Sequence, residues 1–182
     1  MPSAPQLSQS DFRDRYASKA MQDDDKLATD FDELDVLNGV PGPSTAVKAC
    51  YDDGFVLENG VRITDGAGAL LVDGEAFTWK PWVALEGGQD AMINSKGQFE
   101  VPEEAWGILR VLWPKPDLLI LGLGASMHLL SPKTKEDISS LGLRVDVMDT
   151  RNASAQFNML ATERSARDVA AALIPIGWTG KH

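Results

Sequence analysis

Residues 117–151 constrain the fold of this chain more than any other stretch. Leu118–Leu123 is an apolar run without a charged residue, which is typical of a strand covered on both faces. A polar segment with helical signals follows, and residues 143–148 then form a second apolar alternation. This order predicts a βαβ unit, whose strands lie parallel because the crossover helix returns the chain to the same edge.

Turn dipeptides divide residues 46–80 into short apolar segments. Asn59-Gly60 and Asp73-Gly74 each stand between two such segments. Both dipeptides tolerate positive φ at the turn, so they predict β-hairpins. We therefore expect an antiparallel sheet that joins the parallel pair or stacks on it, and an α/β chain as a whole.

Helix signals appear at three further places. Pro102, followed by two glutamates, predicts a helix start, and Ser131 before a proline predicts another. Asp149 or Thr150 caps a helix whose apolar face repeats through residues 153–161. The last apolar run, residues 168–175, stays ambiguous: its alanines favour a helix, whereas its short, fully apolar character favours a buried strand.

The composition suggests two regions. Residues 1–43 are acidic and end in a Gly/Pro-rich linker, so we predict a largely extended arm there and a single α/β domain over residues 44–182. We favour a solvated arm. The alternative is an arm that folds onto a partner or back onto the domain through apolar side chains with helical spacing: Phe12, Tyr16, Phe31, Leu34 and Leu37.

The charge and the apolar runs exclude some classes of function. A net charge of -10 without a basic stripe argues against a nucleic-acid partner. No apolar run approaches the roughly 20 residues of a membrane span, and the start of the chain lacks the apolar core of a secretory signal. The single Cys50 rules out an internal disulfide framework, and no Cys/His cluster has zinc spacing.

The most tempting chemical motif is Gly122-Leu123-Gly124, directly after the predicted central strand. A dinucleotide-binding fingerprint needs a third glycine at position 127, where Met127 stands, and an earlier helix start. The alternative interpretation is that these glycines allow a tight turn at the end of a buried strand. We therefore predict no cofactor there, and keep a nucleotide-binding enzyme as the alternative.

A polar cluster stands at the end of the next strand, where open α/β sheets place their sites. Asp149 and Thr150 are explained by a helix cap, which leaves Arg151 and Asn152 for a ligand or a partner. Trp82 is either a core residue or an exposed partner anchor. His128 and Cys50 have no partners that would make them catalysts, so no acid–base pair or nucleophile relay is predicted.

Several motifs resemble those of respiratory complex I assembly factor 3 and its small prokaryotic single-domain relatives. The resemblance covers residues 51–177, and its most specific block runs from 145 to 175. The motifs are Leu119-Ile120-Leu121-Gly122-Leu123-Gly124, Val145-Asp146-Val147-Met148-Asp149-Thr150, Asn152-Ala153, Phe157-Asn158 and Ala170-Ala171-Ala172-Leu173-Ile174-Pro175.

The resemblance implies a three-layer fold with a central mixed β-sheet: an N-terminal antiparallel β-meander, the βαβ unit and a final helix–strand. It makes Val169–Ile174 the last strand. It also implies a non-catalytic, chaperone-like factor of the mitochondrial matrix, peripheral to the inner membrane. Such a factor works with complex I assembly factor 4 on early subunits of the ubiquinone-binding arm.

The sequence therefore leaves two competing functions. The first is a binding module in complex I assembly, with exposed aromatics such as Trp82 as anchors. The second is a small-molecule or nucleotide-binding enzyme that uses the loop at Gly122 and Gly124 together with the cluster at residues 149–152.

Overall fold

Two β-sheets and the helices that cover them form the part of the chain that the computed structural model describes, residues 29–30 and 43–180. Two 3-10 helices, Gly88–Met92 and Glu103–Trp106, lie between the sixth and seventh strands. The strands are β1 Thr29–Asp30, β2 Val47–Tyr51, β3 Gly54–Leu57, β4 Arg62–Ile63, β5 Gly68–Val72, β6 Glu75–Trp79, β7 Leu118–Leu123, β8 Arg144–Met148 and β9 Val169–Ile174. The α-helices are α1 Gly107–Val111, α2 Pro132–Ser140 and α3 Thr150–Glu163.

The larger sheet has five strands in the order β6-β5-β9-β7-β8. β7 lies between β9 and β8 and runs parallel to both, whereas β5 runs antiparallel to β9 and to β6. The predicted βαβ unit, β7-α2-β8, and the central mixed sheet are therefore confirmed. Every residue of β7 and β9 is buried, as expected of strands covered on both faces.

The smaller sheet is antiparallel, in the order β1-β2-β3-β4. The hairpin at Asn59-Gly60 joins β3 to β4, and the one at Asp73-Gly74 joins β5 to β6. At the second turn, Asp73 and Gly74 have φ of 53° and 74°, the left-handed conformation that this short loop requires. The antiparallel strands thus both stack on the central sheet and extend it.

Two apolar cores lie on opposite faces of the central sheet, which makes the three layers. On one face, Trp106 and Leu109 pack with Ile138 of α2. On the other face, Phe157 of α3 packs with Phe55 of the smaller sheet. The three-layer architecture implied by the family resemblance is therefore confirmed.

The local sequence signals mark the positions where the helices begin. Ser131 begins α2, and its hydroxyl accepts a hydrogen bond from the Thr134 N–H at 3.1 Å. Asp149 begins α3 in the same way. The segment after Pro102 forms a 3-10 turn before α1. Val169–Ile174 is a strand, because burial on both faces outweighs the helical preference of its alanines.

Part of the predicted arm takes its place in the smaller sheet, since Thr29–Asp30 pairs with β2. The other residues up to position 42, with the aromatic and leucine residues of the arm, lie outside the described residues, so the division at residue 43 stays a prediction. In residues 29–30 and 43–180, no helix is long and apolar enough to cross a bilayer.

Candidate functional site at the carboxyl end of the central strands

Gly122 lies where helix α3 approaches β7 most closely. A Cβ atom added at this position would lie 2.9 Å from Cδ2 of Leu173 and 3.0 Å from Cα of Thr150. Both distances are shorter than ordinary van der Waals contact, so the glycine allows the start of the helix to rest on the strand. Gly122 therefore has a packing reason that needs no ligand.

Gly124 ends the strand with a φ of +80°. Its N–H donates to Oγ1 of Thr150 at 2.8 Å, and an added Cβ would lie only 2.1 Å from the carbonyl oxygen of Trp178. The N–H of Ala125 also points at that carbonyl, at 3.4 Å. A phosphate-binding loop needs its backbone N–H groups free. Here the chain's own groups occupy them.

Thr150 ties three elements together. It is fully buried, and its hydroxyl accepts from Gly124 and donates to the carbonyl of Ile174 at 2.5 Å. Its own N–H donates back to the carbonyl of Gly124 at 2.9 Å. The side chain thus joins the end of β7, the start of α3 and the end of β9, and its hydrogen-bonding capacity is used inside the fold.

Asp149 and Asn152 form the N-terminal cap of α3. One carboxylate oxygen of Asp149 accepts from the Asn152 N–H at 3.1 Å, and the other accepts from the Asn152 side-chain amide at 2.5 Å. Asn152 and Arg151 are both exposed on the first turn of the helix. The cap explains Asp149 and most of the orientation of Asn152, while a ligand or partner contact at this turn stays a prediction.

Cys50 lies beneath the first turn of α3 and is only 2% exposed. Its Sγ is 3.3 Å from Oγ of Ser154. Burial raises the pKa of the thiol to about 11, against smaller lowering effects from Ser154 and the charge of Arg151. The thiol is therefore protonated at neutral pH and is not an activated nucleophile.

His128 follows the glycine loop and packs against Trp178 in a tilted arrangement, with ring centroids 5.3 Å apart and ring planes inclined by 60°. Burial lowers the pKa of this imidazole, and a hydrogen bond with the backbone of Thr179 opposes that effect. The histidine and the tryptophan together close the carboxyl end of the central strands. Trp178 is held in turn by its indole N–H, which donates to the carbonyl of Gln89 at 3.1 Å.

The two tryptophans after β5 have different environments. Trp79 is buried, stacks on Trp106 at 5.4 Å between centroids, and donates its indole N–H to the carbonyl of Ala105 at 2.9 Å. Trp82 is half-buried and packs against the same core. Trp79 is thus a core residue, as expected. A partner contact through Trp82 remains a prediction, and only the exposed part of this side chain is available for it.

Two features carry no clear local signal in the sequence. Asn158 pairs with the backbone of Val47 like a neighbouring strand: its amide donates to the Val47 carbonyl at 2.9 Å and accepts from the Val47 N–H at 2.8 Å. Trp113 is 85% exposed, and Val111, two positions earlier in the chain, is 83% exposed. In the sequence, Asn158 is marked only by its place in a family motif, and Trp113 only by the prolines that follow it.

Within residues 43–180, no three His, Cys, Asp or Glu side chains come together in a way that would hold a metal ion. A groove of about 230 Å³ lies on the smaller sheet between Tyr51, Phe55 and Arg62. Ligand pockets usually enclose about 300–1,000 Å³ and bring several polar groups together. This groove is smaller and is lined partly by exposed residues.

Comparison with known proteins agrees with this geometry. Residues 47–174 match the family described as Protein of unknown function (DUF498/DUF598). An 82-residue segment is 38% identical to a zebrafish (Danio rerio) protein named NADH dehydrogenase [ubiquinone] 1 alpha subcomplex assembly factor 3. That match covers 45% of this chain and 46% of the zebrafish protein, so the chain spans less than half the length of that relative.

Solved structures share the fold. The solution structure of a Bordetella pertussis protein, described as a Mth938-like domain, has a TM-score of 0.52 at 24% identity, over 74% of this chain and 88% of that one. An NMR structure of a Rhodopseudomonas palustris protein has a TM-score of 0.52 at 22% identity, over 80% and 96% of the two chains. At these identities the likeness concerns the fold alone.

Proposed function

The family match at residues 47–174 covers most of this chain, so the chain belongs to the DUF498/DUF598 family. We propose that it is a non-catalytic assembly factor for respiratory complex I. The observation that carries this proposal is the match to proteins named complex I assembly factor 3. The closed carboxyl end of the central strands supports it, because the groups that would hold a nucleotide are hydrogen-bonded within the chain.

The proposal extends to partners and place. We expect the protein to act with a second assembly factor, assembly factor 4, on early subunits of the ubiquinone-binding arm. For this role we expect the protein to be located in the mitochondrial matrix, peripheral to the inner membrane. The negative net charge of -10 fits binding to polypeptide surfaces better than binding to nucleic acid or to an anionic lipid surface.

The partner surface that the geometry favours is the pair Val111 and Trp113, at the end of α1. Tryptophan is enriched among the residues that carry most of the binding energy of interfaces. We therefore favour these two apolar side chains, which are two positions apart and both more than four-fifths exposed. The exposed part of Trp82 and the first turn of α3, with Arg151 and Asn152, are secondary candidates. Their charged and amide groups suit the polar rim of such an interface.

Co-purification tests the proposal. A tagged chain, expressed in cells that are building complex I, is expected to carry assembly factor 4 and ubiquinone-arm subunits with it. Trp113→Ala is expected to weaken that capture at least about tenfold, as alanine variants at anchor residues do. Val61→Ala, just before β4, removes an exposed apolar side chain elsewhere and serves as the matched control.

Two outcomes contradict different parts of the proposal. If the tagged protein is purified from mitochondria without any complex I subunit or assembly factor, the assembly role is wrong. If capture is normal in Trp113→Ala, the role stands and the assigned surface is wrong. Calorimetric titration with NAD(H), ATP and flavins tests the enzyme alternative, and submicromolar binding of any of them would revive it.

A further inference from the structure

Strand β8 forms one edge of the central sheet, and among residues 29–30 and 43–180 no strand pairs with its outer side. The N–H of Arg144 donates to the carbonyl of Asp117, next to β7, at 3.1 Å. In a parallel pair, alternate residues bond to the same neighbour. Val145 and Val147 therefore present their backbone N–H and C=O groups outward, where a further strand would bind.

The side chains of β8 alternate in character as well as in direction. Val145 and Val147 are half-buried and pack against the core beneath α2. Arg144 and Asp146 point to the opposite face and are exposed. Edge strands commonly carry charges that discourage pairing, but this edge carries one charge of each sign, two residues apart.

We propose that β8 binds β8 of a second copy of this chain in antiparallel orientation, centred on Val145. The two central valines then exchange both backbone hydrogen bonds, because Val145 is one of the outward-facing residues. Arg144 of each copy lies directly opposite Asp146 of the other. The two five-stranded sheets become one continuous sheet of ten strands with two symmetric ion pairs beside its centre.

The charges select this register over its neighbours. Centring the pair on Arg144 places two arginines opposite each other, and centring it on Asp146 places two aspartates opposite each other; like charges in these positions repel. Centring it on Val147 leaves Asp146 opposite Met148. A two-fold pair of this kind also closes on itself, so it gives a dimer and not a filament.

The opposite edge of the sheet lacks this self-complementarity. β6, Glu75–Trp79, has a single charged residue, Glu75, and no base to pair with it. Antiparallel pairing of two β6 strands therefore gains no ion pair in any register. The proposal concerns β8 alone, and it is independent of the assembly role.

Sedimentation velocity on the full chain tests the dimer. A pairing through one short strand is at the small end of specific interfaces, so the series should run from about 10 µM to about 1 mM. We expect the dimer fraction to rise over this range and to fall with added salt, because the ion pairs are solvent-exposed. A chain that stays monomeric throughout this range overturns the proposal.

Charge reversal separates this interface from others. R144D and D146R alone each place like charges opposite one another, and each should weaken the dimer at least about tenfold. The double variant R144D/D146R restores the opposite pairs and should return to within about threefold of the wild type. A mixture of the two single variants should form heterodimers. A dimer that is indifferent to these charges overturns the proposal.

Cysteine pairs test the register. R144C mixed with D146C should form an intermolecular disulfide on mild oxidation, because residues opposite each other at non-hydrogen-bonded sites have Cα atoms about 4.5 Å apart. R144C alone is the control, since its two copies would be roughly 8 Å apart, beyond disulfide reach. The natural Cys50 is buried and does not compete. Equal cross-linking in both samples overturns the register.

Discussion

Replacing Thr150 by valine tests whether the polar cluster at the strand ends holds the fold or binds a ligand. Valine has nearly the shape of threonine but lacks the hydroxyl. That hydroxyl accepts from the N–H of Gly124 at 2.8 Å and donates to the carbonyl of Ile174 at 2.5 Å. Thr150 is fully buried, so water cannot replace either bond.

The magnitude follows from these two lost bonds. A buried donor or acceptor that loses its partner costs about 1–3 kcal/mol, so we expect Thr150→Val to lower the free energy of unfolding by about 2–4 kcal/mol. For a domain of this size, that corresponds to a fall in Tm of about 5–15 °C. A loss of this size removes a large fraction of a typical stability of about 5–15 kcal/mol.

Thr150→Ser is the matched control, because it keeps the hydroxyl and removes only the buried methyl group. We expect it to lower the free energy of unfolding by about 1 kcal/mol. Urea unfolding of the wild type and both variants, without added ligand, measures the difference. If Thr150→Val unfolds at the same urea concentration as the wild type, or is no less stable than Thr150→Ser, the role assigned to the hydroxyl is wrong.

Three further predictions follow from the same structure. Gly124→Ala should lower stability by more than about 3 kcal/mol, because its Cβ would overlap the Trp178 carbonyl, whereas Gly97→Ala, also at positive φ but in open space, should lose about 1 kcal/mol in the same urea assay. Asn158→Ala removes both bonds to the Val47 backbone and should lower the free energy of unfolding by about 2–3 kcal/mol; a fall in Tm under about 2 °C would contradict this. Burial raises the pKa of the Cys50 thiol from 9.0 to about 11, so wild-type stability should fall by about 1.4 kcal/mol per pH unit as the pH rises between those values, relative to Cys50→Ala. Equal pH profiles for the wild type and Cys50→Ala would show that the thiol is not buried as described.

The sequence predicts the parts of this fold that depend on neighbouring residues. Asn59-Gly60 and Asp73-Gly74 specify their hairpins through the backbone conformations they tolerate, and Ser131 and Asp149 specify helix starts through short-range hydrogen bonds. The βαβ unit follows from the order of its segments. These signals act within a few residues, so they can be read without knowledge of the rest of the chain.

Long-range contacts explain what the sequence could not give. Local propensity left Val169–Ile174 open between helix and strand, and burial between two neighbouring strands decides the strand. Trp178 closes over Gly124 from 54 positions away, which nothing near the glycines indicates. Asn158 bonds to Val47 across 111 positions. The missing third glycine at Met127 and the late start of the next helix are the local signs that the glycine loop has a structural role.

Open α/β sheets usually bind ligands at the carboxyl ends of their parallel strands, because backbone groups and polar side chains there are left unpaired. In this chain Thr150 pairs with both backbone groups of Gly124, the carbonyl of Trp178 accepts from the N–H of Ala125, and Asp149 accepts from an N–H at the start of α3. Trp113 precedes β7 at the other end of the sheet, and among the described residues it is 85% exposed. The two ends are therefore separable: Trp113→Ala should lose partners without losing stability, and Thr150→Val should lose stability without a specific loss of partners.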